Sequence, residues 1–258
     1  GAGAFEKGSP CGLRGRAAGG GNAGAGQVYG YDSLLARGRD EPFTLYGLIA
    51  EDVQSPPDRS RVTFRLNPAA RFHDGSRITS ADVVFSWQNF RDHGRPNQRV
   101  YYGKVVRAEA PDEAQVTFHF KPDANGLYNR ELPLIMGLMQ IIPEHGWSKT
   151  DLTAPSLTPE LGSGPYKIKS IDPGRSIIWE RVRDYWGRDL PSQRGLYNFD
   201  QIRVDYYRNQ QAALLAFKAG QYDLRLEGDP ARWANAYEGP AKESGQYQLA
   251  DLPHGRIE

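Results

Sequence analysis

Arg61-Val62-Thr63-Phe64-Arg65-Leu66 alternates polar and apolar residues, so Val62, Phe64 and Leu66 fall on one face and a half-buried strand is predicted. His73-Asp74-Gly75-Ser76 reads as a turn, and Thr79-Ser80-Ala81-Asp82 as a capping box that opens a helix. Val83, Val84, Trp87 and Phe90 follow at helical spacing, which assigns Trp87 to the core. Strand patterns over 104–110 and 115–120 flank Pro111-Asp112-Glu113 and predict a hairpin with Val116, Phe118 and Phe120 inward. The apolar stretch 127–142 predicts a helix around Pro133, and the segments 32–37 and 45–51 read as short helical or irregular pieces.

Residues 149–161 are rich in Pro, Ser and Thr and read as a connector, after which the pattern changes. Segments 166–171 and 176–182 predict a second hairpin around Asp172-Pro173-Gly174. A strand over 201–207, a helix over 209–219 that Gly220 can stop in a left-handed cap, and a strand over 222–227 suggest one parallel βαβ unit. Asp229-Pro230 then opens a short helix with proline at its first position, carrying Trp233 and Tyr237 four residues apart.

The chain's 258 residues suffice for one large domain or two small ones, and 39% hydrophobic residues provide a real core. Lys and Arg number 32 against 31 Asp and Glu, so the bulk positive field that nucleic-acid binders use is absent. Apolar runs stay well below the ~18 residues of a membrane-spanning helix. A single cysteine, Cys11, excludes an internal disulfide, and the five histidines show no metal-type pair. Residues 1–30 hold 11 of the 29 glycines, read as a loop or flexible arm, and show no signal-peptide pattern. Residues 251–258 show no closing helix or strand, so the chain is expected to be a piece of something longer.

Catalytic signatures are sparse. The sequence has no phosphate-cradling G-x-x-x-x-G-K-[ST], no G-x-S-x-G and no H-E-x-x-H; Gly162-Ser163-Gly164 reads as a tight turn. Carboxylates are plentiful but no pair is singled out for glycoside hydrolysis, so a binding protein is favoured over a hydrolase, with no metal and no cofactor expected.

Four segments in order carry a family resemblance. They are Arg61–Leu66 with Ala70-Arg71-Phe72-His73-Asp74-Gly75-Ser76 and the helix from Ile78 to Trp87; Gly162-Ser163-Gly164-Pro165-Tyr166-Lys167-Ile168; Glu180-Arg181-Val182-Arg183-Asp184-Tyr185-Trp186; and the run from Ala212 through Gly220 to Leu224. Together they resemble the extracellular solute-binding proteins of family 5, the dipeptide- and oligopeptide-binding receptors of ABC transporters, over residues 28–240. Arg39–Glu51 and the stretch from Tyr222 to Tyr237 are similar to the Yej-type branch, associated with oligopeptides and a peptide–nucleotide antibiotic.

The resemblance implies an α/β fold of periplasmic-binding-protein type II kind, with mixed sheets and flanking helices, incomplete because the family chain is about twice as long and the second binding lobe is missing. Residues 1–41 would be an N-terminal arm and the start of the first binding lobe, 42–161 an extra α/β lobe, and 162–258 the remainder of the first lobe up to the hinge. It also implies a periplasmic or surface-anchored receptor that delivers oligopeptides to a membrane permease, binds no nucleic acid, and is monomeric, with a second chain or fragment completing the fold. Gly26, Gln27 and Val28 match the segment whose backbone pairs with a bound peptide strand. Arg225 and Glu227 share one face of the 222–227 strand, either a solvated face or, beside the cleft as the resemblance implies, a site where Arg225 would grip a ligand carboxylate and Glu227 orient it. In that role Arg225→Lys would weaken binding with little change in melting temperature. Trp233 and Tyr237 would flank an apolar ligand side chain or pack in the core, while Tyr185 and Trp186 are expected to pack. The same fold could instead take an oligosaccharide or a nickel chelate.

Overall fold

Two antiparallel sheets organise the chain, each grown from a hairpin whose alternation is written in the sequence. The computed structural model describes residues 30–38, 41, 44–147 and 158–251. The first sheet contains β3 (Ala50–Gln54), β4 (Arg61–Leu66), β5 (Val105–Asp112) and β6 (Gln115–Phe120), in the order β3-β4-β6-β5. A separate two-stranded ladder pairs β1 (Leu35–Arg37) with β2 (Leu45–Gly47). Val62, Phe64 and Leu66 of β4 are buried, as are Val116, Phe118 and Phe120 of β6, so the inward faces are the ones the period of two selects.

Helix α1 (Ser80–His93) covers this sheet and sets Trp87 edge-on to Phe118 at 5.9 Å between ring centroids. The Trp87 indole N–H is satisfied by the Tyr102 carbonyl at 3.1 Å in the following helix α2 (Pro96–Tyr102). At the N-terminus of α1 the Asp82 carboxylate accepts from the Thr79 backbone N–H and the Thr79 hydroxyl, both at 2.9 Å. Its other oxygen accepts from the Glu144 backbone N–H at 2.9 Å, so the capping box also anchors a distant loop. Asp82 is buried, and Asp82→Ala would orphan these donors; the expected loss is about 2 kcal/mol, read by urea unfolding. A change below the error of the titration would show that water replaces the carboxylate.

Expectations in the first part of the chain need correction at three places. Segments 32–37 and 45–51 hold no helix: Leu35–Arg37, Leu45–Gly47 and the start of β3 at Ala50 are strand, and the buried Leu34 and Ile49 lie in the irregular stretches between them, because short apolar runs carry no decisive period. The 127–142 helix shrinks to α3 (Leu132–Gly137), with Pro133 in its first turn, where proline starts a helix and does not kink it. Gly137 ends it where a Cβ would stand 2.6 Å from Leu35. Pro111 lies inside β5 and not in a turn, tolerated because β5 is an edge strand with a register shift between Glu109 and Asp112.

A four-residue helix, α4 (Glu144–Trp147), precedes the second sheet, which orders β7 (Tyr166–Asp172), β8 (Ser176–Arg181) and β9 (Gln201–Asp205). Arg61–Leu66 and Tyr166–Asp172 thus belong to different sheets. Helix α5 (Gln210–Lys218) starts at Asn209, whose side chain accepts from the Ala212 N–H at 2.8 Å, and stops at Gly220 with φ +70°. Asp229 caps α6 (Pro230–Asn235) in the same way. The βαβ unit does not form: every ladder among the described residues is antiparallel, and residues 222–227 belong to none.

Candidate functional site

Residues 223–228 keep the alternation of a strand without a neighbour strand. Leu224 and Leu226 are 52% and 56% exposed, whereas the side chains of Arg225 and Glu227 are 2% and 3% exposed. Among the described residues, the backbone N–H groups of 223–228 make no hydrogen bond to another backbone carbonyl. A segment with one row of side chains tied inward, and with backbone donors that meet no backbone acceptor among the described residues, can serve as a template for pairing with an extended chain.

The inward row forms a closed polar cluster. Arg225 donates through Nε to the Tyr237 hydroxyl at 2.8 Å and through its two terminal nitrogens to Tyr222 at 3.2 Å, Gln210 at 3.0 Å and Glu227 at 3.1 Å. Tyr222 passes its proton on to the Ala213 carbonyl at 2.8 Å, and Tyr237 donates to Glu227 at 2.9 Å. Glu227 further accepts from the Asp229 backbone N–H at 3.0 Å and from the half-exposed Arg232 at 3.2 Å. Burial opposes ionisation of Glu227, but hydrogen bonds from Arg232, the Asp229 backbone, Tyr237 and Arg225 outweigh it and hold the carboxyl down at about 2. Burial likewise pulls Arg225 down, and its hydrogen bonds to Tyr222, Tyr237 and Glu227 more than reverse that, leaving it raised.

The structure therefore brings together Arg225, Glu227, Trp233 and Tyr237. Trp233 is half-buried, with its ring 6.0 Å from that of Tyr237, whose backbone carbonyl accepts from the Tyr247 hydroxyl at 2.6 Å. Gly26, Gln27 and Val28 lie outside the described residues. Arg225 has four of its N–H donors engaged within the chain, so its side chain holds the segment's shape.

A second cluster went unnoticed in the sequence. Asp32 is fully enclosed: its carboxylate accepts from the Tyr185 hydroxyl at 3.0 Å and from the Trp186 indole N–H at 3.0 Å, and its backbone N–H donates to the Ser163 hydroxyl at 2.9 Å. Tyr185 and Trp186 do pack, as expected, but as ligands of this carboxylate. Burial pushes Asp32 up to about 7, against the opposing pull of the Tyr185 and Trp186 hydrogen bonds. Nearby, the Gly30 carbonyl accepts from Ser163 and Gly164, both at 3.0 Å. His73 bridges the same junction, with its N–H on the Gly162 carbonyl and its Nε2 on the Gly164 carbonyl, both at 2.8 Å. A Cβ on Gly162 would stand 2.0 Å from the Gly30 carbonyl oxygen, which explains the glycine of Gly162-Ser163-Gly164. The signal in the sequence was one carboxylate inside an aromatic and apolar run, Val28-Tyr29-Gly30-Tyr31-Asp32-Ser33-Leu34-Leu35.

Among the described residues, no group of three or more His, Cys, Asp or Glu is arranged to hold a metal ion, and no helix is long and apolar enough to cross a membrane.

The comparisons agree on one family. Residues 44–253 match the profile described as bacterial extracellular solute-binding proteins, family 5 middle. A binding protein of Brucella melitensis is 43% identical over 217 residues, which is 84% of this chain and 35% of the relative. A YejA protein of Agrobacterium fabrum, named as peptide-binding, is 38% identical over 231 residues, 87% of this chain and 37% of its own length. In structure, the PBP/SBP MoaA of A. tumefaciens R10 in complex with mannopinic acid superposes with a TM-score of 0.70 at 22% identity, covering 91% of this chain and 46% of that one. The chain thus spans about a third of the length of the curated relatives it matches.

Proposed function

Because the chain belongs to family 5 of the bacterial extracellular solute-binding proteins and has their type II periplasmic-binding-protein fold, we propose that it forms part of an ABC-importer receptor that captures oligopeptides outside the cytoplasmic membrane. One observation carries the peptide reading: the extended 223–228 segment, whose backbone donors have no backbone acceptor among the described residues. A peptide offers the same N–H and C=O groups whatever its side chains, so pairing along this segment gives affinity without sequence preference. Arg225 and Glu227 hold the segment from behind, Leu224 and Leu226 face outward, and the half-buried Trp233 lies beside it, backed by Tyr237, which the core encloses and leaves with no surface for a ligand. The resemblance of Gly26, Gln27 and Val28 to a ligand-pairing segment supports the same ligand class, although they lie outside the described residues. The name of the A. fabrum relative supports the same ligand class.

The receptor performs no chemistry in this reading. Closure of two lobes around the ligand, one containing residues 162–258 and carrying an extra lobe at 42–161, presents a monomeric complex to the permease. An oligosaccharide would use the aromatic wall alone and leave the 223–228 backbone unpaired. The test is the chemical identity of the molecule that copurifies with the full-length protein.

A further inference from the structure

A cavity of about 440 Å³ adjoins the Asp32 cluster through Tyr185, which the two share, and is walled by the end of β8 and the loop that follows it. Four arginines line it, Arg181, Arg183, Arg188 and Arg194, against one acidic residue, Asp189. Arg181 is paired with Asp200 at 2.6 Å and Arg188 with Asp189 at 3.3 Å. Arg183 and Arg194 form no ion pair with a carboxylate among the described residues; Arg194 reaches only the Asp189 carbonyl at 3.3 Å. The Arg181 Nε–H is buried and has no hydrogen-bond partner, an unmet donor of a kind native interiors seldom keep. The loop is also held in a strained form, with Tyr197, a non-glycine residue, at φ +58° and its hydroxyl on Gln193 at 2.8 Å.

We propose that this cavity is an anion site that takes the phosphate group of a small solute, separate from the 223–228 segment. The forked donors of guanidinium groups match the oxygens of a phosphate, and Arg183 and Arg194, which have no carboxylate partner among the described residues, supply the charge that a dianion requires. The volume falls within the range of small-molecule sites, roughly 300–1,000 Å³. None of the four arginines belongs to the Arg225 cluster, so the two sites can be inactivated independently.

The experiment titrates inorganic pyrophosphate into the full-length protein by calorimetry, beside sedimentation with phosphatidylglycerol vesicles. Wild type and the double variant Arg183→Gln, Arg194→Gln are compared. Both residues are exposed, so unliganded melting should not change. The expected result is pyrophosphate binding that weakens at least tenfold in the variant and falls as salt rises, with peptide binding unaffected. Vesicle binding that the variant loses, without pyrophosphate binding, would keep the phosphate chemistry and identify a lipid headgroup as its source. Absence of both, or binding equal in wild type and variant, would overturn the proposal.

Discussion

Glu227→Gln is expected to lower the unfolding free energy by about 3–5 kcal/mol, the scale for breaking a buried ion pair from one side. The substitution keeps shape and volume but removes the charge that Arg225 faces across 3.1 Å, with both side chains almost fully enclosed. Arg225 would retain only the neutral oxygens of Tyr222, Tyr237 and Gln210. Arg225→Lys should also cost stability, because lysine's point charge cannot reach four partners in the directions a guanidinium does. The linkage sign follows from a carboxyl lowered from 4.5 to about 2: its contribution is fully present above pH 4.5 and is lost as pH falls towards 2. Wild type should therefore lose its advantage over Glu227→Gln in that acid window. Unchanged stability with weakened peptide binding would return both residues to direct ligand contact.

Asp32→Asn should make the protein more stable above neutral pH. Asp32 titrates at about 7 in the fold and at 3.8 when unfolded, so between those values the native state holds a proton that the unfolded chain has released. Stability from this group is complete below pH 3.8 and is lost as pH rises through about 7, by roughly 4 kcal/mol at 1.36 kcal/mol per pH unit. His73 works in the opposite sense: burial lowers it, against the Gly164 hydrogen bond, so its contribution improves as pH rises to 6.5. The difference between wild type and variant isolates Asp32 from that background. Urea unfolding should find the two similar near pH 4 and the Asn variant ahead by several kcal/mol near pH 8.5. A gap of the same size at both pH values would mean that Asp32 stays in one protonation state throughout.

Period and cap chemistry made much of the fold legible. The β4 alternation, the capping box at Asp82, the two hairpins and the Gly220 stop are local features, and local features are written in contiguous residues. Misreadings arose where burial between distant segments decided the outcome. Leu35 and Ala50 are strand residues, and Leu34 and Ile49 are buried beside them, only because β1, β2 and β3 are gathered over one core, and no period within three to five residues announces that. Residues 222–227 show the converse: the alternation is genuine, but a ladder needs a partner that periodicity cannot supply. At the candidate site, the shared face of Arg225 and Glu227 was legible from their two-residue spacing, but their ion pair with each other was not. Nor was its enclosure, because Gln210, Tyr222 and Tyr237 converge from other elements. Asp32 was missed for the same reason, its partners lying more than a hundred residues away.

The central claim is that the 223–228 segment serves a peptide-binding receptor. Native mass spectrometry of the full-length protein, purified without denaturation, tests it most directly. The account predicts bound mass that fragments as peptides of mixed sequence, with loss of that mass when Trp233→Ala is combined with a proline at Leu226, which removes a backbone donor from an exposed position. A bound oligosaccharide or metal chelate, retained by the same variant, would contradict it.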